Sequence, residues 1–273
     1  MFNRFLFILS LSFLFSINST NAQKGYELGG WIGTGLYFGD LNTRLGIKQP
    51  GLAFGLNARN NFNTRIAAKA SLNFARIGAN DDNSSNNFER RRNLDFNSNI
   101  YDFTGQMEFN FFEYKHGSKI DYWTPYLSLG FSAFRYNPTS SLNDVKYNLR
   151  DYGTEGQEQG SEYGRFNGGL TLGFGWKWDI NEDWSLNAEF TVRKIFTDYL
   201  DDVSKTYPDP ATLTVIRGDD AVIARGLSNK SIITDFGRAG TQRGNSKDND
   251  TYALFGISLM RYFGELECPK ISR

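Results

Sequence analysis

The sequence of 273 residues is poor in the side chains that build most catalytic and metal sites, with one Cys, one His and three Met. A single Cys excludes an intrachain disulfide framework, and one Cys with one His cannot form a Cys/His zinc site within one chain. Net charge is also absent, because 30 Lys and Arg balance 30 Asp and Glu. Without a basic excess, nucleic acid is not an expected partner.

Long apolar runs are missing beyond the N-terminus. The mean hydropathy of −0.48 argues against a helical membrane protein, because each spanning helix needs about 20 consecutive apolar residues. Only residues 5–15 form an apolar run, which follows Arg4 and precedes a short polar segment. This pattern predicts a secretory signal peptide over residues 1–22, cleaved between Ala22 and Gln23. An uncleaved anchor is the alternative.

Glycine and aromatic residues are abundant, with 28 Gly, 24 Phe, 14 Tyr and 5 Trp. Eight segments alternate apolar residues with polar residues or glycine at a period of two, which predicts strands with two different faces. In the fourth segment, for example, Phe103 lies on the opposite face from Asp102 and Thr104. The predicted strands are 26–38, 51–60, 65–76, 99–111, 124–135, 163–178, 184–196 and 251–263.

The connections between these strands alternate in length. Each of the connections 61–64, 112–123 and 179–183 is shorter than its neighbours, and 197–250 is the longest. Short periplasmic turns, long external loops and an even strand number are typical of outer-membrane barrels, as are aromatic residues at strand ends. We therefore predict an all-β, eight-stranded antiparallel transmembrane barrel over residues 23–273, in outer-membrane lipid of a Gram-negative cell. A soluble β-sandwich would not explain the alternating connections.

Charges of both signs occur on the predicted inward face. An eight-stranded barrel has an interior that side chains can fill, and buried charges must pair. The sequence therefore predicts a salt-bridge network in the lumen that stabilises the fold, with a proton or ion path as the alternative. The residues of this predicted network are Glu27, Arg59, Lys69, Asp102, Glu108, Arg165, Lys177, Glu189 and Arg193.

Candidate catalytic and metal-binding residues are few. His116 is predicted to be a solvated histidine of a periplasmic turn, and no common catalytic motif accompanies it, so we expect neither an enzyme nor a cofactor nor a small-molecule substrate. The acidic segment 197–203 lacks the regular spacing of a calcium loop and predicts a structured loop base. Residues 218–249 are predicted to be mobile, and Cys268 is either free or paired with another chain.

Several sequence words resemble one family. They include Tyr37-Phe38-Gly39-Asp40-Leu41-Asn42, the stretch Glu108-Phe109-Asn110-Phe111-Phe112-Glu113-Tyr114, and Thr197-Asp198-Tyr199-Leu200-Asp201-Asp202. These words resemble the PorG-like outer-membrane barrels associated with type IX secretion. The resemblance implies a non-enzymatic accessory barrel that works with periplasmic ring proteins. Residues 210–249 match none of the family words.

Two functions follow from these observations. The first is an accessory role in type IX protein secretion, in which the turns 112–123 and 179–183 and a periplasmic tail at 264–273 contact ring proteins. The alternative is a stand-alone surface barrel whose external loops, above all 197–250, bind ligands or other cells.

Overall fold

The computed structural model describes residues 24–44 and 46–264, and its main feature is a closed antiparallel barrel of eight long strands. The first and last barrel strands pair along their whole length, from Gly25 opposite Gly264 to Phe38 opposite Thr251, and this pairing closes the sheet. The barrel strands are β1 (Gly25–Phe38), β2 (Gly51–Asn61), β3 (Ile66–Asn80), β4 (Asp95–Asn110), β5 (Trp123–Arg135), β8 (Phe166–Asp179), β9 (Trp184–Ile195) and β10 (Thr251–Gly264).

Alternation of side chains explains why these segments form a barrel wall. In β4, Phe103 is 52% exposed on the outer face, whereas Asp102 is 4% exposed in the interior. Apolar side chains outside and polar side chains inside are the reverse of the arrangement in a water-soluble protein, and such an apolar surface is stable only in lipid. The predicted eight-stranded barrel is confirmed, with each strand end within four residues of its predicted position.

Two glycines on neighbouring strands make room for the large side chain of Trp31 in β1. A Cβ on Gly256 of β10 would lie 2.4 Å from Cε3 of Trp31, and a Cβ on Gly55 of β2 would lie 2.5 Å from its Nε1. The indole of Trp31 therefore occupies the space that the missing side chains leave, and its Nε1 donates a hydrogen bond to Oδ1 of Asn73 across the interior at 2.9 Å.

The two ends of the barrel differ. One end has the turns 62–65, 111–122 and 180–183, and by the general rule for outer-membrane barrels this is the periplasmic end. The other end has the connections 39–50, 81–94, 136–165 and 196–250, whose described residues we call the external cap. The cap contains the hairpin β6 (Pro138–Leu142) and β7 (Val145–Asn148), the helices α1 (Asn87–Arg92), α2 (Leu149–Tyr152), α3 (Pro210–Arg217) and α4 (Ala221–Ser228), and the 3₁₀ turns Asp81–Asn83 and Gly218–Asp220.

The apolar core of the protein lies where the external cap meets the barrel mouth. Phe96, Ile100 and Phe134 from the strands pack with Leu200 and Leu227 from the cap, and all five are buried. This apolar packing holds the cap on the barrel, since removing such residues from water stabilises the contact. Among the described residues, no helix is long and apolar enough to cross a membrane.

Candidate functional site

The lumen contains a charged cluster centred on Glu108. Its carboxylate contacts three cations from three other strands: Lys177 Nζ at 2.6 Å, Arg59 Nε at 2.8 Å and Lys69 Nζ at 3.3 Å. All four side chains are fully or almost fully buried. A carboxylate shared by three buried cations draws β2, β3, β4 and β8 together across the interior.

The other three predicted lumen carboxylates each pair with a basic side chain. Glu27 lies 2.7 Å from Arg59, Glu189 lies 2.5 Å from Lys69, and Asp102 lies 3.0 Å from Arg193. The structure thus brings together eight of the nine predicted network residues, four carboxylates with four cations. Their equal numbers leave these eight groups with no net charge, as a buried set requires.

Arg165 is the predicted network residue that the structure places elsewhere. It precedes β8, which begins at Phe166, and its side chain lies in the external cap, where Nη2 pairs with Oδ1 of Asp151 at 2.7 Å. The prediction of a lumen position is therefore wrong. The predicted strand began at residue 163, three residues before the strand in the structure. Arg165 was therefore assigned to the inward face of a strand that does not include it.

His116 closes the periplasmic end of the lumen cluster. The ring is 5% exposed and stacks on Tyr262, with Nδ1 at 2.6 Å from Oδ1 of Asp179 and Nε2 at 3.3 Å from Oε1 of Glu27. The prediction of a solvated turn histidine is wrong, because the 111–122 turn folds back across the barrel end and Gly117 N donates to Asp179.

The charge of His116 follows from these neighbours. Burial lowers the pKa of His116, but hydrogen bonds to Asp179 and Glu27 outweigh burial and raise the pKa above its ordinary value. Because both ring nitrogens face carboxylates, neither is placed to act as a base toward a hydroxyl group. The arrangement locks a turn onto the barrel instead.

The family-motif residues meet at the external mouth, although more than 150 residues separate their two words in the sequence. Leu41 and Leu200 are buried in the same apolar cluster, and Tyr37 Oη donates to Oδ2 of Asp201 at 2.5 Å. Thr197 O accepts a hydrogen bond from Asp250 N, and Tyr199 stacks on Tyr163. The words at 37–42 and 197–202 therefore attach the external cap to the strands, whereas the word at 108–114 lies at the periplasmic end of β4. The motif residues so placed are Gly39, Asp40, Leu41, Thr197, Asp198, Tyr199, Leu200, Asp201 and Asp202.

Carboxyl groups within this mouth have raised pKa values. Burial, with a smaller contribution from the charge of neighbouring Glu155, raises the pKa of Asp198 to about 7 and the pKa of Asp40 to about 6. Burial also raises the pKa of Asp202 to about 6, against the lowering effect of Arg243. Within residues 24–44 and 46–264, no group of three His, Cys, Asp or Glu side chains is arranged to hold a metal ion.

The long connection 196–250 contains regular structure and buried side chains. Helices α3 and α4 lie within it, and Arg243 is buried between Glu155 at 3.1 Å and Asp202 at 3.4 Å. Arg92, itself paired with Asp81 at 2.8 Å, donates to the carbonyl of Arg243. The predicted mobility of 218–249 is therefore wrong for α4 and for Arg243. Few apolar residues are available to hold this segment, and buried arginines that donate to several acceptors hold it instead.

Some predictions concern residues outside the described part of the chain. These are the signal peptide with its cleavage site between Ala22 and Gln23, Cys268, and the periplasmic tail beyond Gly264. They remain predictions.

Three features define the class of this protein. The outer wall of the barrel is apolar, the charged groups of the lumen balance one another, and the connections are short at one end and long at the other. The protein is an outer-membrane β-barrel. Within that class, the chain belongs to the family described as a domain of unknown function, DUF6089, whose model matches residues 3–220. No curated protein matches the chain.

Solved barrels of similar type include three surface or outer-membrane proteins. OprG of Pseudomonas aeruginosa is 9% identical with a TM-score of 0.44, over 89% of this chain and 98% of that chain. Neisserial surface protein A is 9% identical with a TM-score of 0.41, over 88% and 97%. Ail, the attachment invasion locus protein of Yersinia pestis, is 12% identical with a TM-score of 0.40, over 89% and 99%.

Proposed function

We propose that this chain is a non-conducting outer-membrane anchor that works through its two ends, as an accessory component of type IX protein secretion in contact with periplasmic ring proteins. The observation that carries the first half of this proposal is the lumen cluster, in which Glu108 and its three cations lie across the path that a solute would take. A small barrel filled in this way is a rigid support and not a pore.

The periplasmic turn 111–122 supports the choice of the periplasmic end as a contact surface. His116 fixes the base of the turn, and Ser118 Oγ accepts hydrogen bonds from the backbone N–H groups of Ile120 and Asp121. The side chain of Ile120 is 83% exposed near the tip of this ordered turn. An exposed apolar side chain on a rigid turn suits a protein contact, because little conformational entropy is lost on binding.

The secretion role itself is supported by the resemblance of the words at 37–42, 108–114 and 197–202 to PorG-like barrels. The test is deletion of the gene, after which we expect type IX cargo to accumulate inside the cell. Normal export in the deletion strain would contradict the secretion role and leave the anchor without this partner.

Site-specific crosslinking tests the contact surface separately. A photo-crosslinking residue in place of Ile120 or Asn181 is expected to capture a periplasmic ring protein in intact cells. The matched control is the same residue in place of Val215, which is highly exposed in the external cap. Capture from position 215 with none from position 120 would contradict the proposed surface.

A second candidate function is supported by the order of the external cap. Val215 of α3 and Val222 of α4 are exposed apolar side chains on short helices. Arg217 of α3 pairs with Glu162, and Arg243 donates to the Ser228 carbonyl of α4, and these contacts hold the helices in place. A stand-alone surface barrel that binds ligands or other cells would use such a surface. Normal export in the deletion strain, together with loss of cell or matrix binding in a Val215→Asp/Val222→Asp variant, would favour this function.

A further inference from the structure

A polar cleft of about 440 Å³ opens on the outer wall of the barrel, at its external end. It lies between β3, β4 and β5 on one side and the hairpin β6 and β7 on the other. Among the described residues, its lining includes no Asp or Glu. Its basic side chains come from four different segments and are Arg76, Arg135, Lys146 and Arg165.

The strand register fixes the height of this cleft on the barrel. Arg135 of β5 faces Tyr101 of β4 and Phe166 of β8 in one row of outward side chains, and its guanidinium lies 5.9 Å from the ring of Phe166. Arg76 of β3 and Asn99 of β4 are the next pair of outward-facing residues along those strands, one step closer to the external end. The cleft therefore begins where the apolar band of the wall ends, which is the level of the lipid headgroups.

Three of the four cations have no carboxylate to neutralise them. Arg165 pairs with Asp151 at 2.7 Å. In the described part of the chain, no Asp or Glu oxygen lies within 4 Å of the charged groups of Arg76, Arg135 or Lys146. Three like charges directed at one cleft repel each other, and a bound anion would remove that cost.

We propose that this cleft binds the phosphate of a phosphorylated glycolipid in the outer leaflet of the membrane. Arg76, Arg135 and Lys146 would supply charge-assisted hydrogen bonds to the phosphate oxygens. Asn97 and Asn99, whose side chains face outward beside them, offer amide groups to sugar hydroxyls.

The occupant is a lipid and not a free anion because of what lies below the cleft. Tyr101 and Phe103 of β4 and Phe131 of β5 are exposed on the outer wall and continue toward the middle of the membrane. Acyl chains attached to the bound headgroup would lie along these side chains. The lipid site is on the membrane side of the barrel, so it is independent of the proposed periplasmic contact.

The test uses the full chain purified in detergent and titrated with bisphosphorylated lipid A, with bound lipid counted by native mass spectrometry. The triple variant Arg76→Gln/Arg135→Gln/Lys146→Gln should bind lipid A on the order of a hundredfold more weakly than the unmodified protein. The matched control, Arg44→Gln/Arg90→Gln/Arg91→Gln, removes the same charge from exposed positions of the external cap and should bind lipid A within about twofold of the unmodified protein. Heat-dependent mobility in SDS gels checks that each variant is folded.

Three further titrations separate the possible sources of the anion. Dephosphorylated lipid A should bind about as weakly to the unmodified protein as lipid A does to the triple variant, and inorganic phosphate at equal concentration should not compete. Competition by inorganic phosphate at the lipid's own affinity would overturn the lipid as the occupant. Tighter binding of heparin than of lipid A would replace it with a sulfated polysaccharide, and equal lipid binding by the triple variant would overturn the site itself.

Discussion

Neutralising Glu108 is the sharpest test of the lumen cluster. In a Glu108→Gln variant, Arg59 retains Glu27 and Lys69 retains Glu189 as ion-pair partners. Lys177 has Glu108 as its ion-pair partner and is fully buried, so the variant leaves one buried cation without its carboxylate. Breaking a buried pair from one side costs about 3–5 kcal/mol, and we expect a loss of that size in the free energy of unfolding.

The assay is urea unfolding of the barrel in lipid vesicles, followed by the fluorescence of its five Trp residues. Glu182→Gln in the exposed turn 180–183 is the control and should change the unfolding free energy by less than about 0.5 kcal/mol. The double variant Glu108→Gln/Lys177→Met removes the unpaired cation and should recover most of the loss, since an apolar replacement of a buried pair is close to neutral. A loss below about 1 kcal/mol for Glu108→Gln would refute the reasoning.

Three other predictions test the wall, the turn and the cap. Leu129→Arg, on the exposed face of β5, should lower the unfolding free energy by about 2–4 kcal/mol. A lipid-phase probe should label a Cys placed at position 129 but not a Cys placed at the inward position of Ser128, and equal labelling would contradict the strand phase. His116→Ala should free the 111–122 turn, so that a protease cuts there faster than in a Lys119→Ala control; unchanged cleavage would show that the Asp179 contact does not hold the turn. Burial raises the pKa values of Asp198 and Asp40 to about 7 and about 6, so the folded cap keeps protons that the unfolded cap loses near pH 4, and its stability should fall as the pH rises from about 4 to about 7. Amide exchange in α4 that slows over this range, after correction for intrinsic rates, would contradict the sign.

The barrel could be predicted from the sequence because its wall obeys a local rule. Between Tyr101 and Asn110 of β4, inward residues are polar and outward residues are apolar or glycine, and that alternation needs no knowledge of the neighbouring strands. The charges on the inward face, such as Glu108 and Lys69, could be assigned to the lumen for the same reason. Which charge pairs with which follows from the closure of the sheet, which the pattern does not contain.

The rest depends on contacts between distant segments. His116 lies in a polar turn with Gly117 and Ser118 beside it, and nothing local shows that the turn folds back onto Asp179, 63 positions later. Arg243 lies in a polar stretch that has the composition of a mobile loop, yet its side chain is buried and forms ion pairs with Glu155 and Asp202. A signal was present in the regular apolar positions Ala221, Ala224 and Leu227, which lie on one face of α4.

The central claim is that the lumen is filled and that the barrel acts as an anchor, and conductance across a planar lipid bilayer tests it most directly. With the unmodified protein inserted, we predict no stable stepwise current, because Arg59, Lys69, Glu108 and Lys177 occupy the interior. A steady ohmic conductance that changes in Glu108→Gln would contradict the claim and favour an ion path through the barrel.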